Sequence, residues 1–497
     1  MCVTYLLLDD FKQDLFSRDQ SDSEVSPTSS VELSIDGSIE QFWDPFDLEE
    51  DSLFKEPAVL EAEACTLIGA KYMFFDYSAR HWAEHFSSAC SISTPELQES
   101  VILLSDASSS RSLNWFRFYW LEAEMNLRCP RDFIPFVAAS YFGHLTSLKT
   151  LLRESLPIEP EVGIRGLYWA SRKGHHEVVD LLLRENFNPD VKVLDGQNAF
   201  IAAVSFDRLD VVKRLLEDED FISQQKESRV NHTAMGGRTP LSIAAGNGFV
   251  EVVRQLLQHS QTQPDRADFD HWTPLFWAIS GKHLDVLKLL LTDNRVSINR
   301  VDRSGRSVLS WAASGGDLEL VKYLMSLKDL KANEADRNGR TPLSWAAGNG
   351  HLETTIYLRR SQRIDLSRKD KDGRNAISWA CSGGRHEVVE YLIKHDRQGV
   401  DEEDGDGWAP LAWALFNQAL KTVQVLLDSG LVDVNKKDRN GRSALSFAAG
   451  YGYLDVLRLL LNTRDTDIES KYNDGRIPLS YATAYPGIVE LLQQLHK

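Results

Sequence analysis

The chain has 497 residues, more than one compact core usually holds, so its length predicts either several domains or an extended array of repeats. Its 55 lysines and arginines against 73 aspartates and glutamates give a formal charge of −18, which would repel a phosphate backbone and argues against nucleic acid as a partner. Five scattered cysteines without a CxxC pair favour a reducing compartment over a disulfide framework or a zinc ribbon.

The N-terminal region divides into three stretches. Residues 1–11 (MCVTYLLLDDF) are interpreted as the remnant of a helix, because this apolar run lacks the basic start of a signal peptide. Residues 12–57 are acidic and serine-rich without a sustained hydrophobic period, which predicts a disordered linker. Residues 58–130 return to helical patterns, as in LNWFRFYWLEAEMNL. No apolar run is long enough to span a bilayer, so we expect a cytoplasmic protein with no membrane contact, and a nuclear location stays open.

One pattern recurs through residues 131–497. The interval from Phe200 to Leu241 is longer than the later 34-residue intervals, which predicts a loop inserted between the third and fourth copies. The shortened end near Tyr485 and Pro486 predicts a terminal cap. The copies are tracked by their first buried apolar residue: Phe136, Leu167, Phe200, Leu241, Leu275, Leu309, Leu343, Ile377, Leu411, Leu445 and Leu479.

The copy DRNGRTPLSWAAGNGHLE, residues 336–353, shows how a unit is expected to fold. Its first four residues have turn composition, Thr341 is placed to cap a helix, and Pro342 occupies the first helical position, where its missing N–H costs nothing. Leu343 and two alanines share one face, and Gly350 ends the helix after about two turns. A second helix follows, so each unit is a turn and two helices that must bury their apolar sides against neighbouring units.

Segments such as GRTPLSIAAGNGFVEVVRQLL and GRSALSFAAGYGYLDVLRLLL resemble the G-x-TPLH-x-AA pattern of the ankyrin repeat. The resemblance implies an all-α repeat fold: an ankyrin solenoid of about eleven units, each a β-turn plus two antiparallel helices, behind a small helical N-terminal segment. Serine stands where the family usually has histidine, for example at Ser344, so the polar links of that histidine are at most partly replaced.

The patches CVTYLLLDDF, FFDYSARHWAEHF and WFRFYW resemble the segment that joins the winged-helix end of a NACHT ATPase to the ankyrin array in fungal NLR-like proteins. The resemblance implies that residues 58–130 are a winged-helix and linker remnant, that the chain starts inside such a module, and that the array is its sensing arm. No GxxxxGK[ST] phosphate loop occurs, so the nucleotide chemistry of that family cannot be carried over and no cofactor is expected.

An enzymatic alternative rests on the string His81-Trp82-Ala83-Glu84-His85. Two histidines four residues apart on a helix with a glutamate between them are the zinc ligands and general base of some hydrolases. No third ligand can be nominated, and the same residues suit a structural helix. We therefore expect a protein that is not an enzyme and holds no metal, with a zinc-dependent hydrolase as the alternative.

An aromatic residue recurs two positions after the key apolar residue in eight of the copies, at Trp169, Trp277, Trp311, Trp345, Trp379, Trp413, Phe447 and Tyr481. A ligand cage of such rings is conceivable. Rings in successive units favour packing against the adjacent unit instead, at about 1.5 to 3 kcal/mol for each buried ring.

The residue after the turn glycine is arginine in six copies and tryptophan in two, and the turn tips add further bases. In ankyrin proteins this position resembles the exposed set that contacts partners from the concave side, so we expect it to bind a protein or an extended peptide of acidic character. The alternative is that each arginine pairs with a turn aspartate of the next unit, and both can be true. The candidate partner-binding residues are Arg238, Trp272, Arg303, Arg306, Arg337, Arg340, Lys371, Arg374, Trp408, Arg439, Arg442 and Arg476.

The short residues after the alanine pair, such as Gly246 and Gly348, are expected to leave the groove open for an elongated polypeptide. The sequence therefore predicts a non-catalytic scaffold for protein–protein interaction. Arg340 is expected to face outward, so that a repeated structural part also carries a binding residue.

Overall fold

The structure is a computed structural model that describes residues 134–154, 158–193, 196–219, 228–397, 399–463 and 465–495. Across these ranges, helices are joined by turns, and extended pairing is limited to two isolated antiparallel bridges, Val301 with Ser307 and Lys437 with Ser443. The predicted all-α repeat is confirmed. The expected remnant at 1–11, linker at 12–57 and helical segment at 58–130 lie outside the described residues. The chain divides near residue 215 into two compact bodies.

The described residues of the first body form three helix pairs, and the key apolar residues Phe136, Leu167 and Phe200 are all buried. In one link between pairs, Nε2 of His175 lies 2.9 Å from the carbonyl oxygen of Tyr141. Burial lowers the pKa of His175 below its ordinary value. The helices are α1 Pro135–Phe142, α2 Leu145–Glu154, α3 Pro160–Lys173, α4 His176–Arg184, α5 Ala199–Ser205 and α6 Leu209–Glu219.

The second body holds the remaining helix pairs. Its first pairs are α7 Pro240–Asn247 with α8 Val250–Gln258, α9 Pro274–Ser280 with α10 Leu284–Leu290, α11 Val308–Ser314 with α12 Leu318–Ser326, and α13 Pro342–Asn349 with α14 Leu352–Arg360. Its last pairs are α15 Ala376–Ser382 with α16 His386–His395, α17 Pro410–Phe416 with α18 Leu420–Asp428, α19 Ala444–Tyr451 with α20 Leu454–Leu461, and α21 Pro478–Tyr481 with α22 Pro486–Leu495. Within the described residues of this body, short 3-10 helices lie at Arg229–Asn231, Met235–Gly237 and Ala482–Ala484.

The start and end of α13 follow from local chemistry. The Thr341 hydroxyl accepts a hydrogen bond from the backbone N–H of Ser344, and the Ser344 hydroxyl oxygen lies 2.9 Å from the Thr341 nitrogen, which donates in return. These reciprocal bonds satisfy two of the N–H groups that a helix start leaves unpaired. Gly350 ends the helix with a φ of 85°, which an L-residue with a side chain rarely adopts. The predicted cap and stop are confirmed, and the polar contacts of the repeat serine stay within its own turn.

Packing between pairs supplies the core. The first helices of consecutive pairs pack together, for example α13 on α15, and so do second helices such as α14 and α16. Leu343 is 3% exposed and Ala346 and Ala347 are fully buried, so the inner helices approach closely. Burying one such leucine contributes about 1.5 to 3 kcal/mol. The prediction of a buried key residue is wrong for Leu479, which is half-buried because no later described repeat covers it.

Two irregular places match the sequence. The inserted segment after α6 is described from residue 228 onward, where the 3-10 turn Arg229–Asn231 is buried. The last pair begins with α21, which has only four residues before the chain continues as a 3-10 turn. The shortened terminal unit is therefore confirmed.

Candidate functional site

In six repeats of the second body, a turn aspartate organises the surface around it: Asp268, Asp302, Asp336, Asp370, Asp404 and Asp438. In one repeat, Oδ1 of Asp336 accepts hydrogen bonds from the backbone N–H groups of Asn338 and Arg340, both at 2.9 Å. Its Oδ2 accepts one from Nε1 of Trp345 at 3.1 Å. Asp336 is itself buried, so these donors replace the water that the carboxylate loses. The aspartate thereby fixes both the turn and the orientation of the indole.

The same arrangement recurs in four more repeats, with indole Nε1 to carboxylate Oδ2 distances of 2.8 to 2.9 Å. The further pairs are Trp277 with Asp268, Trp311 with Asp302, Trp379 with Asp370 and Trp413 with Asp404. The rings are half-buried rather than in the core, with one face available to the residue after the turn glycine.

That residue is an arginine whose guanidinium lies between two indoles. The guanidinium carbon of Arg306 is 3.9 Å from the ring centre of Trp311 in its own repeat and 3.8 Å from that of Trp345 in the next. Arg340 lies 3.7 Å from both Trp345 and Trp379. These distances are typical of strong cation–π contacts, worth about 2 kcal/mol where water is excluded.

The stack continues through the repeats in both directions. Arg374 lies 5.0 Å from the ring centre of Trp379 and 3.5 Å from that of Trp413, and Arg238 lies 3.6 Å from Trp277. We call this row the Arg–Trp ladder: Arg238, Trp277, Trp272, Trp311, Arg306, Trp345, Arg340, Trp379, Arg374, Trp413, Trp408, Phe447 and Arg442.

Tryptophan replaces arginine at two positions of the Arg–Trp ladder, and there the stacking is between rings. The ring centre of Trp272 lies 4.8 Å from that of Trp277 and 4.6 Å from that of Trp311. Trp408 lies 4.8 Å from Trp413. A flat group, cationic or aromatic, is therefore what this position supplies to the neighbouring indole. The prediction that the rings pack across adjacent units is confirmed for the five tryptophans from Trp277 to Trp413, whereas Tyr481 stacks on Tyr472 of its own repeat, with 4.1 Å between the ring centres.

The repeat of Phe447 departs from this pattern. Phe447 stands where the five preceding repeats have an indole, and a phenyl ring has no N–H to give to the turn aspartate Asp438. Arg442 takes that role, and its Nε donates to Oδ2 of Asp438 at 2.6 Å. Its guanidinium carbon then lies 5.6 Å from the Phe447 ring instead of stacking closely. The indole N–H is thus what leaves the other arginines available for stacking.

The expectation that Arg340 faces outward is wrong, because its side chain is held between two indoles and the residue is only 9% exposed. Arg238, Arg306, Arg374 and Arg442 are half-buried, while Arg476 is exposed. The expectation of an open groove at Gly348 is also wrong. A Cβ at Gly348 would lie 2.4 Å from Nη2 of Arg340, so the missing side chain makes room for the guanidinium.

Burial changes the ionisation of the stacked arginines without neutralising them. It lowers the pKa of Arg306 to about 10. It lowers the pKa of Arg340 to about 9, with the neighbouring charges of Arg306 and Arg374 acting in the same direction. Both values lie above neutral pH, so the ladder carries a row of positive charges. Burial also raises the pKa of Asp268, against three hydrogen bonds that lower it.

Pairing with a turn aspartate of the next repeat is seen at one of these arginines. Nε of Arg374 lies 3.7 Å from Oδ2 of Asp404. Arg442 and Arg476 instead pair with Asp438 and Asp474 of their own repeats. The predicted aspartate ladder therefore exists only in part, and the indoles are the main partners.

The turn tips carry the exposed bases, which we call the basic tips: Arg303, Arg337, Lys371 and Arg439. Arg303 and Arg439 have side chains 72% and 71% exposed, with a carboxylate at 3.9 and 4.0 Å. Arg337 and Lys371 are exposed and form no salt bridge with any described residue. Consecutive tips are tied by backbone bonds, because the Arg337 N–H donates to the Ser304 carbonyl and the Lys371 N–H to that of Asn338.

An asparagine link between repeats was missed by the sequence reasoning. Nδ2 of Asn299 donates to the Asp329 carbonyl at 2.8 Å, and its Oδ1 accepts from the Lys331 N–H at 2.9 Å. Asn231, Asn333 and Asn435 make equivalent pairs of bonds. The recurrence of asparagine at multiples of 34 residues is the signal that would have found it.

The zinc-site motif at His81, Glu84 and His85 lies outside the described residues. Within the described ranges, no group of three or more histidine, cysteine or carboxylate side chains is arranged to hold a metal ion. No helix in the described part of the chain has the length and apolar character that a bilayer crossing requires.

Family models match most of the array. The model described as "Ankyrin repeats (3 copies)" matches residues 136–226, 220–302, 294–370 and 360–438, and the one described as "Ankyrin repeats (many copies)" matches residues 404–483. The chain belongs to the ankyrin-repeat family. Ankyrin repeats generally act as scaffolds that bind other proteins, so membership indicates a protein-interaction scaffold.

A curated relative of this ankyrin-repeat chain is the E3 ubiquitin-protein ligase XBAT33 of Arabidopsis thaliana, with 33% identity over 91 residues. The match covers 18% of the chain and 16% of the ligase. Because the chain spans so little of that relative, the similarity carries over no ligase activity. Neither the family models nor this relative supports the hydrolase alternative.

Proposed function

We propose that this chain is a non-catalytic scaffold that binds an acidic, extended segment of another protein along the Arg–Trp ladder and the basic tips of the second body. One observation carries the proposal. Three consecutive repeats each present an exposed base, Arg303, Arg337 or Lys371, beside a stacked guanidinium, on a protein whose net charge is −18. A local row of bases on an acidic molecule selects acidic partners and repels most others.

The residue types support binding as well as charge. Arginine and tryptophan are enriched among the residues that contribute most to protein interfaces, because each combines a flat apolar surface with hydrogen-bond donors. The ladder also holds its side chains in fixed positions before a partner arrives. Less rotational freedom is then lost on binding.

Charge reversal at the basic tips tests the proposal. We expect Arg303→Glu, Arg337→Glu and Lys371→Glu, made together in the full chain, to abolish binding of a fluorescein-labelled oligoglutamate peptide in a fluorescence anisotropy titration. The matched control reverses three bases on second helices of the same body, Arg254, Lys288 and Lys394, which changes the net charge equally. Equal loss in both variants would contradict a localised site.

The finer assignment, a sensing arm of a fungal NLR-like system in the cytoplasm, also belongs to this proposal. It rests on the sequence resemblance of residues 1–130, which lie outside the described residues. Mapping the 5′ end of the transcript tests it. A phosphate-loop motif encoded upstream in the same frame is the expected result, and a transcript start directly before Met1 would oppose it.

A further inference from the structure

Three guanidiniums in consecutive repeats, those of Arg306, Arg340 and Arg374, have hydrogen-bonding capacity that the described residues do not use. Nε and Nη2 of Arg306 and Nε of Arg340 are buried without a hydrogen-bond partner among those residues. Arg340 makes one weak bond, from Nη2 to the Ser344 carbonyl at 3.3 Å. These buried atoms are out of a ligand's reach, so only the remaining edge of each guanidinium can meet an anionic acceptor, and a charge-assisted bond there would offset part of the cost of burying the cation.

The turn aspartates form no hydrogen bond with these three guanidiniums, although Nε of Arg374 lies 3.7 Å from Oδ2 of Asp404. Asp302 and Asp336 each receive two backbone N–H groups at one carboxylate oxygen and an indole N–H at the other. Their lone pairs are therefore directed to the turn and the ring. The row of arginines keeps its positive charge toward an incoming ligand.

The spacing of the row is set by the shared indoles. Arg306 and Arg340 lie 3.8 and 3.7 Å from the ring centre of Trp345, so their guanidinium carbons are at most the sum of these, about 7.5 Å, apart. Arg340 and Arg374 lie 3.7 and 5.0 Å from the centre of Trp379, so they are at most about 8.7 Å apart. A ligand that meets all three must repeat its anionic groups within these limits.

Polypeptide conformations differ in how well they meet this spacing. In an extended strand, every second side chain points to the same face at intervals of about 6.7 Å. In a polyproline helix, the equivalent interval is about 9.3 Å, beyond both limits. In an α-helix, residues four apart are about 6 Å apart, but each step turns by about 40°, so a third carboxylate leaves the line.

We propose that the row Arg306, Arg340 and Arg374 binds an extended peptide strand that carries a carboxylate at every second residue, with one carboxylate for each repeat. This inference rests on the proposed function and adds the order of charges in the partner. The basic tips beside the row would attract any acidic strand through their charge. The stacked guanidiniums would select strands in which the carboxylates alternate with other residues.

Synthetic peptides of equal length and equal glutamate content test the period against the full chain. The first has glutamate at every second position with threonine between, the second has it at every third position, and the third places it four apart in an alanine-rich helix. A single-stranded oligonucleotide of similar length is the fourth probe. In anisotropy titrations at fixed ionic strength, we expect the alternating peptide to bind at least about tenfold more tightly than the others.

Two glycine variants tie the period to the ladder without changing any charge. Gly348→Ala would bring a Cβ to 2.4 Å from Nη2 of Arg340 and displace it, so the preference for the alternating peptide should fall to less than about threefold. Gly450→Ala, also after an alanine pair, meets its nearest atom at 3.6 Å and should leave the preference unchanged.

The other outcomes separate the two proposals. Equal affinity for all three acidic peptides would overturn the alternating period and leave the acidic-partner function standing. Binding of none of them would overturn both. Tighter binding of the oligonucleotide would replace the peptide with a nucleic acid, and tighter binding of the helical peptide would replace the strand with a helix.

Discussion

The guanidinium carbon of Arg340 lies 3.7 Å from the ring centre of Trp379, a residue of the following repeat. The side chain of a residue in one repeat thus packs on an indole of the next repeat. Removing either partner should affect stability as well as binding.

Reversing the stacked arginines should destabilise the array. We expect Arg306→Glu, Arg340→Glu and Arg374→Glu, made together, to lower the midpoint of thermal unfolding clearly, because each change replaces a cation–π contact worth about 1 to 2 kcal/mol with a carboxylate against an indole face. Circular dichroism melting checks this. The tip variant Arg303→Glu, Arg337→Glu and Lys371→Glu should melt within a degree or two of the unaltered chain. A similar fall of the melting midpoint in both variants would mean that the cation–π stacks add no stability beyond the effect of the changed charge.

Trp345→Phe should reproduce in one repeat what Phe447 shows in another. The variant loses the N–H that Trp345 donates to Asp336, so we expect Arg340 to turn toward that carboxylate and the free energy of unfolding to fall by about 1 to 3 kcal/mol. Urea unfolding measures the loss. The reverse change, Phe447→Trp, should free Arg442 from Asp438 and leave stability equal or higher; a large loss there would contradict the role given to the indole N–H.

Leu343→Ala should cost about 2 to 5 kcal/mol, because the residue is 3% exposed and its loss leaves a cavity between inner helices. Leu420→Ala provides a comparison at an outer position that is 41% exposed. Its cost should be below about 1 kcal/mol. Similar unfolding midpoints in urea for the two variants would rule out the packing described for the core.

Stability should fall as the pH drops below about 6.5, the ordinary pKa of histidine. Burial lowers the pKa of His351, whose Nε2 lies 2.7 Å from the Ser314 carbonyl. Unfolded chains therefore bind a proton that the folded chain binds only at lower pH, and stability present above pH 6.5 is lost as the pH falls. We expect the melting midpoint to drop between pH 7.5 and 5.5, and His351→Gln to reduce that drop. His395→Gln, at an exposed site, should leave the drop unchanged, and an equal effect would remove His351 from this role.

The repeat and its caps could be predicted from sequence because their chemistry is local. The cap formed by Thr341 and Ser344 spans three residues, and the stop at Gly350 depends on one backbone angle. The contact between Arg340 and Trp379 joins residues 39 positions apart in two different repeats. The sequence shows that arginine and tryptophan each recur, but it does not show that they touch. Replacement of arginine by tryptophan at residues 272 and 408 was the available clue, since what the two share is a flat face for stacking.

Exposure was the quantity that the sequence did not determine. An arginine after a turn glycine is expected on a solvated surface. The space left by the missing side chain of Gly348 is instead occupied by the guanidinium of Arg340, which lies along the surface of the repeat. The exposed positions of the basic tips were predicted correctly because they sit at the apex of turns. Their role in binding a partner stays a prediction.

The indoles of Trp345, Trp379 and Trp413 each meet the arginine of the repeat before, so the contacts between these repeats are equivalent to one another. A chain lacking residues 336–369 would bring Arg306 beside Trp379. This contact would replace the present contacts of Arg306 with Trp345 and of Arg340 with Trp379, which are of the same kind. We therefore expect the fold to tolerate loss or gain of a whole 34-residue module in the stretch from Arg306 to Trp413. A deletion of equal length that includes Phe447 would not join an arginine to an indole in this way. We therefore expect changes in the number of repeats to be better tolerated before Phe447 than across it.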